Sequence, residues 1–406
     1  MLNDLLAVVL AGGEGKRLSP LTQDRAKPAV PFAGQYRIID FTLNNCINSH
    51  IRKIIVLTQY KSVSTSRHLV AGWSIFNPEL GEFLYEIPPQ MRVDDNWYQG
   101  TADAIYQNLY SLDEIRPKYV LVLAGDHIYK MDYGKMLAFH EANDATLTIS
   151  AITVDRRKAS GLGILEVDEK QQVVGFQEKP DEPKGLPGQP DKAYASMGIY
   201  IFNFEMMKEL LEADAADPDS SHDFGNDIIP ALYPKERVFA YPFGSEEKKR
   251  DASYWRDVGT IDAYWEANIN LAGVDPTFNL YDRDWPLRTY QSQMPPAKFV
   301  FANVRKQRVG HALDSLICNG VIISGGLVER SVLSPGVRIH SFAQVYKSIL
   351  MHRVEIGRNA RIRKTIIDKE VSIPPNMEIG YDLEKDRQRF PVSPGGVIII
   401  PKGTVF

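Results

Sequence analysis

The sequence predicts an α/β chain with two domains. Residues 1–290 should form a mainly parallel sheet covered by helices, and residues 291–406 a linker and a parallel β-helix. Three observations carry this expectation. Short, wholly apolar runs alternate with amphipathic segments through the N-terminal region, the pattern of strands buried on both faces and joined by helices. Past about residue 310 helical spacing stops and apolar residues recur every six positions, the signature of stacked β-coils. At 406 residues the chain is also longer than one compact core usually organises.

The predicted strands are Leu5–Ala11, Lys53–Thr58, Tyr119–Ala124, Leu147–Val154 and Met197–Phe202. Thr101–Glu114 and Tyr133–Ala142 read as helices, from the spacing of Ala104, Leu109 and Leu112 and of Met136, Leu137, Phe139 and His140. Ligands of such sheets sit beyond the carboxyl ends of the strands. Three ends carry suitable chemistry: Gly12-Gly13, Gln59 and Gly125-Asp126. Proline-rich stretches at 180–190, with Pro180, Pro183, Pro187 and Pro190, and at 275–296 read as loops, the second as the approach to the domain boundary. Among the C-terminal repeats, a first frame runs Leu327, Leu333, Ile339, Val345, Met351. Another, shifted by one, runs Leu350, Ile356, Ile362, and Ile373 is followed by Ile379. An antiparallel sandwich, the alternative, would show period two.

Composition removes several classes of function. Lys and Arg total 47 against 51 Asp and Glu, a net charge of −4, which gives no general affinity for nucleic acid or anionic membrane. Cys46 and Cys318 supply neither a disulfide framework nor zinc-ligand spacing, which fits a reducing compartment; one long-range bridge stays open. The N-terminal apolar run has no basic lead and stops at Gly12, too short for a signal peptide or a membrane span. The expectation is a soluble, cytoplasmic chain.

The strongest local feature is Leu10-Ala-Gly-Gly-Glu-Gly-Lys-Arg-Leu, followed by Arg25-Ala-Lys-Pro. A glycine-rich turn after a strand brings backbone N–H groups to phosphate oxygens. Leu18 stands where a dinucleotide fingerprint has its third glycine, and the spacing is not that of a Walker A loop. Arg17 and Lys27 follow closely, as cations for a polyphosphate. Asp126, at the end of a buried strand, is either a metal carboxylate or a turn-capping residue. Asp223-Phe-Gly copies a kinase magnesium triplet, but no His-Arg-Asp loop precedes it. Six-residue repeats also occur in acyltransferases, and His340 and His352 read more simply as surface or stacked residues.

These strings, with Asn96-Trp-Tyr-Gln-Gly-Thr, Ala124-Gly-Asp-His, Phe176-Gln-Glu-Lys-Pro, Ala195-Ser-Met-Gly, Ser221-His-Asp-Phe-Gly and Trp255-Arg-Asp-Val-Gly, resemble the sugar-nucleotide pyrophosphorylases. Within them the chain is most similar to the glucose-1-phosphate adenylyltransferases of bacterial glycogen synthesis. The resemblance spans the whole chain. It implies a Rossmann-like nucleotidyltransferase domain followed by a left-handed β-helix, and the reaction of ATP with α-D-glucose 1-phosphate to ADP-glucose and diphosphate. The sugar phosphate is mostly dianionic at neutral pH and attacks without a general base, so the catalytic problem is charge repulsion and alignment.

By the resemblance, Arg17 and Lys27 neutralise the departing phosphates, while Asp126 and Asp257 hold Mg²⁺. Gly12, Gly13, Gly15, Gln90 and Gly100 fall to ATP, and Tyr98, Gly163, Glu178, Lys179 and Ser196 to glucose 1-phosphate. Gln59 and Trp97 match positions that connect regulatory and substrate sites. Arg25 and Arg37 near the glycine loop, and Arg358, Arg361, Arg363 and Lys364 in the repeats, make two basic clusters suited to anionic allosteric metabolites. The resemblance implies a homotetramer. Asp24, Pro31 and Glu114 stand where the bisphosphate-activated pattern has lysine, histidine and arginine, which favours fructose 6-phosphate or pyruvate as activator.

Overall fold

The computed structural model describes every residue except 1, 91–95, 187, 245–252 and 301. Met91 and Arg92, beside Gln90, and Pro187 of the proline-rich loop lie outside the described residues. The N-terminal domain runs β1 (Leu5–Leu10), β2 (Pro31–Phe32), β3 (Tyr36–Arg37), α1 (Ile38–Asn48), β4 (Lys53–Leu57), α2 (Val63–Gly72) and β5 (Phe83–Ile87). It continues with α3 (Thr101–Tyr106), α4 (Leu109–Ile115), β6 (Tyr119–Ala124), β7 (His127–Tyr129), α5 (Tyr133–Ala142), β8 (Leu147–Asp155), β9 (Ile164–Val167) and β10 (Val173–Gln177). Then follow β11 (Lys192–Asn203), α6 (Phe204–Ala215), α7 (Ile229–Leu232), β12 (Val238–Pro242), β13 (Trp255–Asp257) and α8 (Ile261–Leu271).

Nine strands form one sheet in the order β10-β9-β11-β6-β1-β4-β5, with β8 on β11 and β12 on β8. Along β1, Leu5, Ala7 and Val9 join the core beneath α1 and α5, while Leu6 and Val8 join the core beneath α3, α4, α6 and α7. Apolar residues at both parities are what a doubly covered strand requires. Strands β6, β1, β4 and β5 are parallel. The strand expected at 197–202 begins earlier, at Lys192, and runs antiparallel to β6, β8 and β9. Among the described residues no α-helix lies between β8 and β11, only one turn of 3₁₀ helix at Arg156–Lys158, short strands and loops, so nothing carries the chain back for a parallel return. The helix expected over 101–114 is two helices. At the break, Asn108 Nδ2 donates to the Ala104 carbonyl at 2.8 Å and to Tyr98 Oη at 2.9 Å.

The C-terminal domain stacks three five-stranded parallel sheets. Its interior is lined by Val328, Leu333, Ile339, Val345, Leu350, Ile356, Ile362, Ile367, Ile373 and Ile379. Successive members are five, six and six residues apart, so a full coil takes 17, as the pairs Leu333↔Leu350, Ile339↔Ile356 and Val345↔Ile362 show. The two shifted frames in the sequence are therefore a single repeat with a five-residue side. Leu327 is not an interior residue; Val328 takes that place. Met351 packs not into the coil but against the N-terminal domain, where Val332, Ile349, Ile366 and Ile399 share a core with Phe32, Val258 and Tyr264. Each large aliphatic side chain fully buried there stabilises the assembly by about 1.5–3 kcal/mol. Cys46 and Cys318 are both free, so there is no long-range bridge. Among the described residues, no helix is long and apolar enough to cross a membrane.

Candidate active site

A cleft of about 760 Å³ opens at the carboxyl ends of β1, β4 and β6. The turn after β1 forms its floor. Gly15 has φ 66° and lies so near Lys27 that a Cβ would stand 2.9 Å from the lysine Cβ, so only glycine fits. Above Gly13 there is open space within the cleft, room for a phosphate to approach the backbone. Gly12 packs against Gln59, whose side chain bonds both the N–H and the carbonyl of Tyr98.

The charged centre is built by a two-stranded ribbon. Strand β7 pairs antiparallel with β13 so that His127 faces Asp257, which brings Asp257 beside Asp126. Lys27 Nζ sits between the two carboxylates, 2.9 Å from Asp126 Oδ2 and 2.6 Å from Asp257 Oδ1. Arg17, largely exposed, reaches Asp257 Oδ2 at 3.5 Å. Burial works against the charge on Lys27, but Asp126 and Asp257 outweigh it and raise its pKa. Burial likewise opposes the Asp126 carboxylate, yet His127 and Lys27 hold its pKa at about 2. Burial, aided by Lys27, lowers the pKa of His127. Ligand atoms of Asp126, His127 and Asp257 lie within 4.8 Å of one another, and a cation already rests between the two carboxylates. Two hard oxygen donors on one cation suit Mg²⁺.

At the opposite end of the cleft, Glu178 and Lys179 form an ion pair, and Lys179 has φ 42° before Pro180. Ser196 N–H donates to the Gly163 carbonyl at 2.8 Å, and a bulge in β11 after Ser196 turns this segment into the cleft. A Cβ on Gly163 would lie 2.7 Å from the Phe176 ring. Tyr98, Gly163, Glu178, Lys179 and Ser196 all line the cleft, as do Gly12, Gly13, Gly15, Arg17, Lys27, Gln59, Gly100, Asp126 and Asp257.

Gln90 and Trp97 do not line the cleft. Both are exposed, and Gln90 Nε2 donates to the Pro88 carbonyl. Among the lining residues that have no role on sequence grounds alone are His127, Thr101, Asp223 and Gly225. His127 follows Asp126 directly, which is a usable signal. Asp223 is no kinase element, but it does face the cleft, accepting from Thr101 Oγ1 at 2.9 Å and capping the next turn.

The basic residues sort differently from their order in the sequence. Arg25 pairs with Asp368 of the β-helix at 2.6 Å, both side chains buried. Arg37 donates to the Ala29 carbonyl and to Ser64 Oγ. Burial, with Arg25 adding and Asp40 opposing, lowers its pKa to about 10. Lys369 is pushed down to about 7 by burial, then by Arg37 and Arg25. His352 falls to about 3 through burial and the same cations, led by Lys369. Arg25, Arg37, His352 and Lys369 therefore form one cluster between the two domains. Arg361 and Arg363 are not in it: Arg361 pairs with Glu378 and stacks on Tyr381, and Arg363 lies over Tyr346. Arg358 and Lys364 are likewise engaged elsewhere, with Phe342 and with the Gly395 carbonyl.

A doubly covered sheet, a glycine turn at the carboxyl end of its internal strand β1 and a lysine clasped by two carboxylates are the features of a nucleotidyltransferase. The nucleotidyl transferase family model matches residues 6–273, and a GlmU-like C-terminal hexapeptide model matches residues 295–400. A protein of Rhodopirellula baltica named glucose-1-phosphate adenylyltransferase is 54% identical over 406 residues, spanning 99% of this chain and 91% of its own length. One of Koribacter versatilis with the same name is 51% identical over 98% of this chain and 95% of its own. A third, glucose-1-phosphate adenylyltransferase 2 of Vibrio cholerae, is 51% identical over 100% of this chain and 99% of its own. The chain belongs to the glucose-1-phosphate adenylyltransferase family.

Proposed function

We propose that the chain transfers the adenylyl group of ATP to α-D-glucose 1-phosphate, forming ADP-glucose and diphosphate, the committed step of glycogen synthesis. The observation that carries this reading is Lys27 held between Asp126 and Asp257 beside a glycine turn, in a chain whose full-length relatives bear that name. A phosphate oxygen of glucose 1-phosphate attacks the α-phosphorus, and the bond from that phosphorus to the bridging oxygen of diphosphate breaks in line. The nucleophile is already ionised, so no side chain needs to remove a proton. Asp126 and Asp257 would hold Mg²⁺, which when bound supplies positive charge to the α-phosphate. Arg17 and Lys27 neutralise the departing diphosphate, and the backbone at Gly12, Gly13 and Gly15 lets the phosphates approach. Lys179 binds the sugar phosphate as a compact cation, with Glu178 on the sugar hydroxyls and Tyr98, Gly163 and Ser196 completing that end. The nucleotidyltransferase domain spans 1–290, and residues 291–406, a linker and the β-helix, serve homotetramer assembly and regulation in the cytoplasm. Arg25, Arg37 and Lys369 receive an anionic metabolite, fructose 6-phosphate or pyruvate.

Diphosphate release with ATP, UTP, dTTP and GTP, each paired with glucose 1-phosphate or mannose 1-phosphate, tests the assignment. ATP with glucose 1-phosphate should lead, only with a divalent cation present, and Asp126→Asn should cut kcat by roughly a thousandfold. Preference for another pair, or near-normal turnover by Asp126→Asn at saturating Mg²⁺, would refute it.

A further inference from the structure

We propose that Asp214 and His222 form a positioning pair that sets the sugar-phosphate end of the cleft. The inference rests on the assignment of that end to glucose 1-phosphate. His222 itself does not line the cleft. Its φ is 55°, a left-handed conformation that a residue with a side chain keeps only when its surroundings hold it there. Three hydrogen bonds do so. His222 Nδ1 faces Asp214 Oδ2 at 2.8 Å and carries the proton of that contact, the His222 N–H donates to Ser220 Oγ at 2.9 Å, and Ser220 Oγ–H donates to Asp214 Oδ1 at 2.6 Å. Asp214, in the last turn of α6, thus anchors both sides of the turn. The two side chains are only 10% and 15% exposed.

What the turn holds is the wall of the cleft. The His222 carbonyl accepts from Ala102 N at 2.9 Å and from Asp103 N at 3.3 Å, the second and third amides of α3, which has no side-chain cap. Gly100 lies so close beneath it that a Cβ would stand 2.1 Å from that oxygen. The next residue, Asp223, accepts from Thr101 Oγ1 and caps Gly225 and Asn226. Gly225 in turn abuts Glu178: a Cβ there would lie 2.5 Å from Oε2. From Asp214, then, rigid contacts run through His222 to Gly100, Thr101, Asp223, Gly225 and Glu178, all of which border the cleft. Lys27, Asp126 and Asp257 are reached by none of these contacts.

The test combines amide exchange with steady-state kinetics on the full chain. Asp214→Ala should speed hydrogen exchange at Ala102 and Asp103 and raise KM for glucose 1-phosphate about tenfold, with a clearly smaller rise in KM for ATP, which meets this wall only at Gly100. Asp214→Asn, which keeps an acceptor, should return both readouts most of the way. His222→Gly, to which the left-handed backbone is open, should reproduce the Asp214→Ala split even if that variant folds poorly. Faster exchange with an unchanged KM would reduce the pair to a structural role, and an equal rise for both substrates would also overturn the proposal. Failure of the assigned reaction is seen separately, in the wild-type enzyme before any variant is compared.

Discussion

Replacing Lys27 with methionine keeps the aliphatic stem and removes the charge between Asp126 and Asp257. The two carboxylates are then left facing each other, with ligand atoms no more than 4.8 Å apart. Two unit charges at that distance repel by roughly 1 kcal/mol in a water-like medium and about 3 kcal/mol at an effective dielectric of 20. Breaking a fully buried pair costs about 3–5 kcal/mol. Here the lysine is 7% exposed but the carboxylates are 34% and 29% exposed, so solvent screening pulls the figure toward about 1–3 kcal/mol. Thermal unfolding of Lys27→Met in metal-free buffer should therefore begin several degrees below wild type. A divalent cation can take over the role the ammonium has lost. Titrating Mg²⁺ should thus stabilise the variant more than the wild type, in which Lys27 competes for the same oxygens, while catalysis stays low because the diphosphate has lost a counter-charge. Equal Mg²⁺ stabilisation of both proteins, or a metal-free variant as stable as wild type, would refute the reasoning.

Three further outcomes are expected. Lys179→Gln should raise KM for glucose 1-phosphate ten- to a hundredfold and KM for ATP little, the scale of a charge-assisted contact of roughly 1.5–3 kcal/mol; an equal loss for both substrates would place Lys179 elsewhere. Arg25→Ala leaves the buried Asp368 without its guanidinium partner and should cost up to about 3–5 kcal/mol in urea unfolding, with loss of activation by anionic metabolites; unchanged activation would remove Arg25 from that site. Because the folded-state pKa of Lys369 is depressed to about 7 from 10.5, the unfolded chain binds more protons between those values, so stability should rise with pH across that window. Lys369→Met should flatten this slope and gain about 2–4 °C near pH 7.5 in a thermal melt; an unaltered slope would show that another group sets it.

The site residues that are legible in the sequence are those at the end of a long apolar strand. Strands β1 and β6 announce themselves by runs of Leu, Val and Ala, preceded in β6 by Tyr119, and the glycine turn and Asp126 follow from where those runs stop. Asp257 is different. It reaches Asp126 through a ribbon of two three-residue strands, too short to leave a pattern, and only the family resemblance points to it. The basic cluster is illegible for a geometric reason. Closeness along the chain groups Arg358, Arg361 and Lys364, but a 17-residue coil spreads such neighbours over different positions of the prism. It gathers His352 and Lys369, which are 17 apart, at one. The reversal of strand β11 leaves no trace in its composition, because apolar content says that a strand is buried, not which way it runs.

The last strand of the β-helix, residues 398–400, returns after the short helix Leu383–Arg387 to pair with Thr365–Ile367, and Val397 and Ile399 enter the core shared with Phe32 and Tyr264. That arrangement has a consequence for synthesis. A ribosome releases the glycine turn, Asp126 and Asp257 long before it releases Ile399, yet the apolar wall behind Lys27 and α8 is incomplete until that strand arrives. The nascent catalytic domain must wait, with Phe32 and Tyr264 partly uncovered, for a segment more than a hundred residues downstream of Asp257. A message cut short by even a few codons before residue 397 would yield a protein with every catalytic side chain and an open seam at its back, a substrate for proteases more than an enzyme.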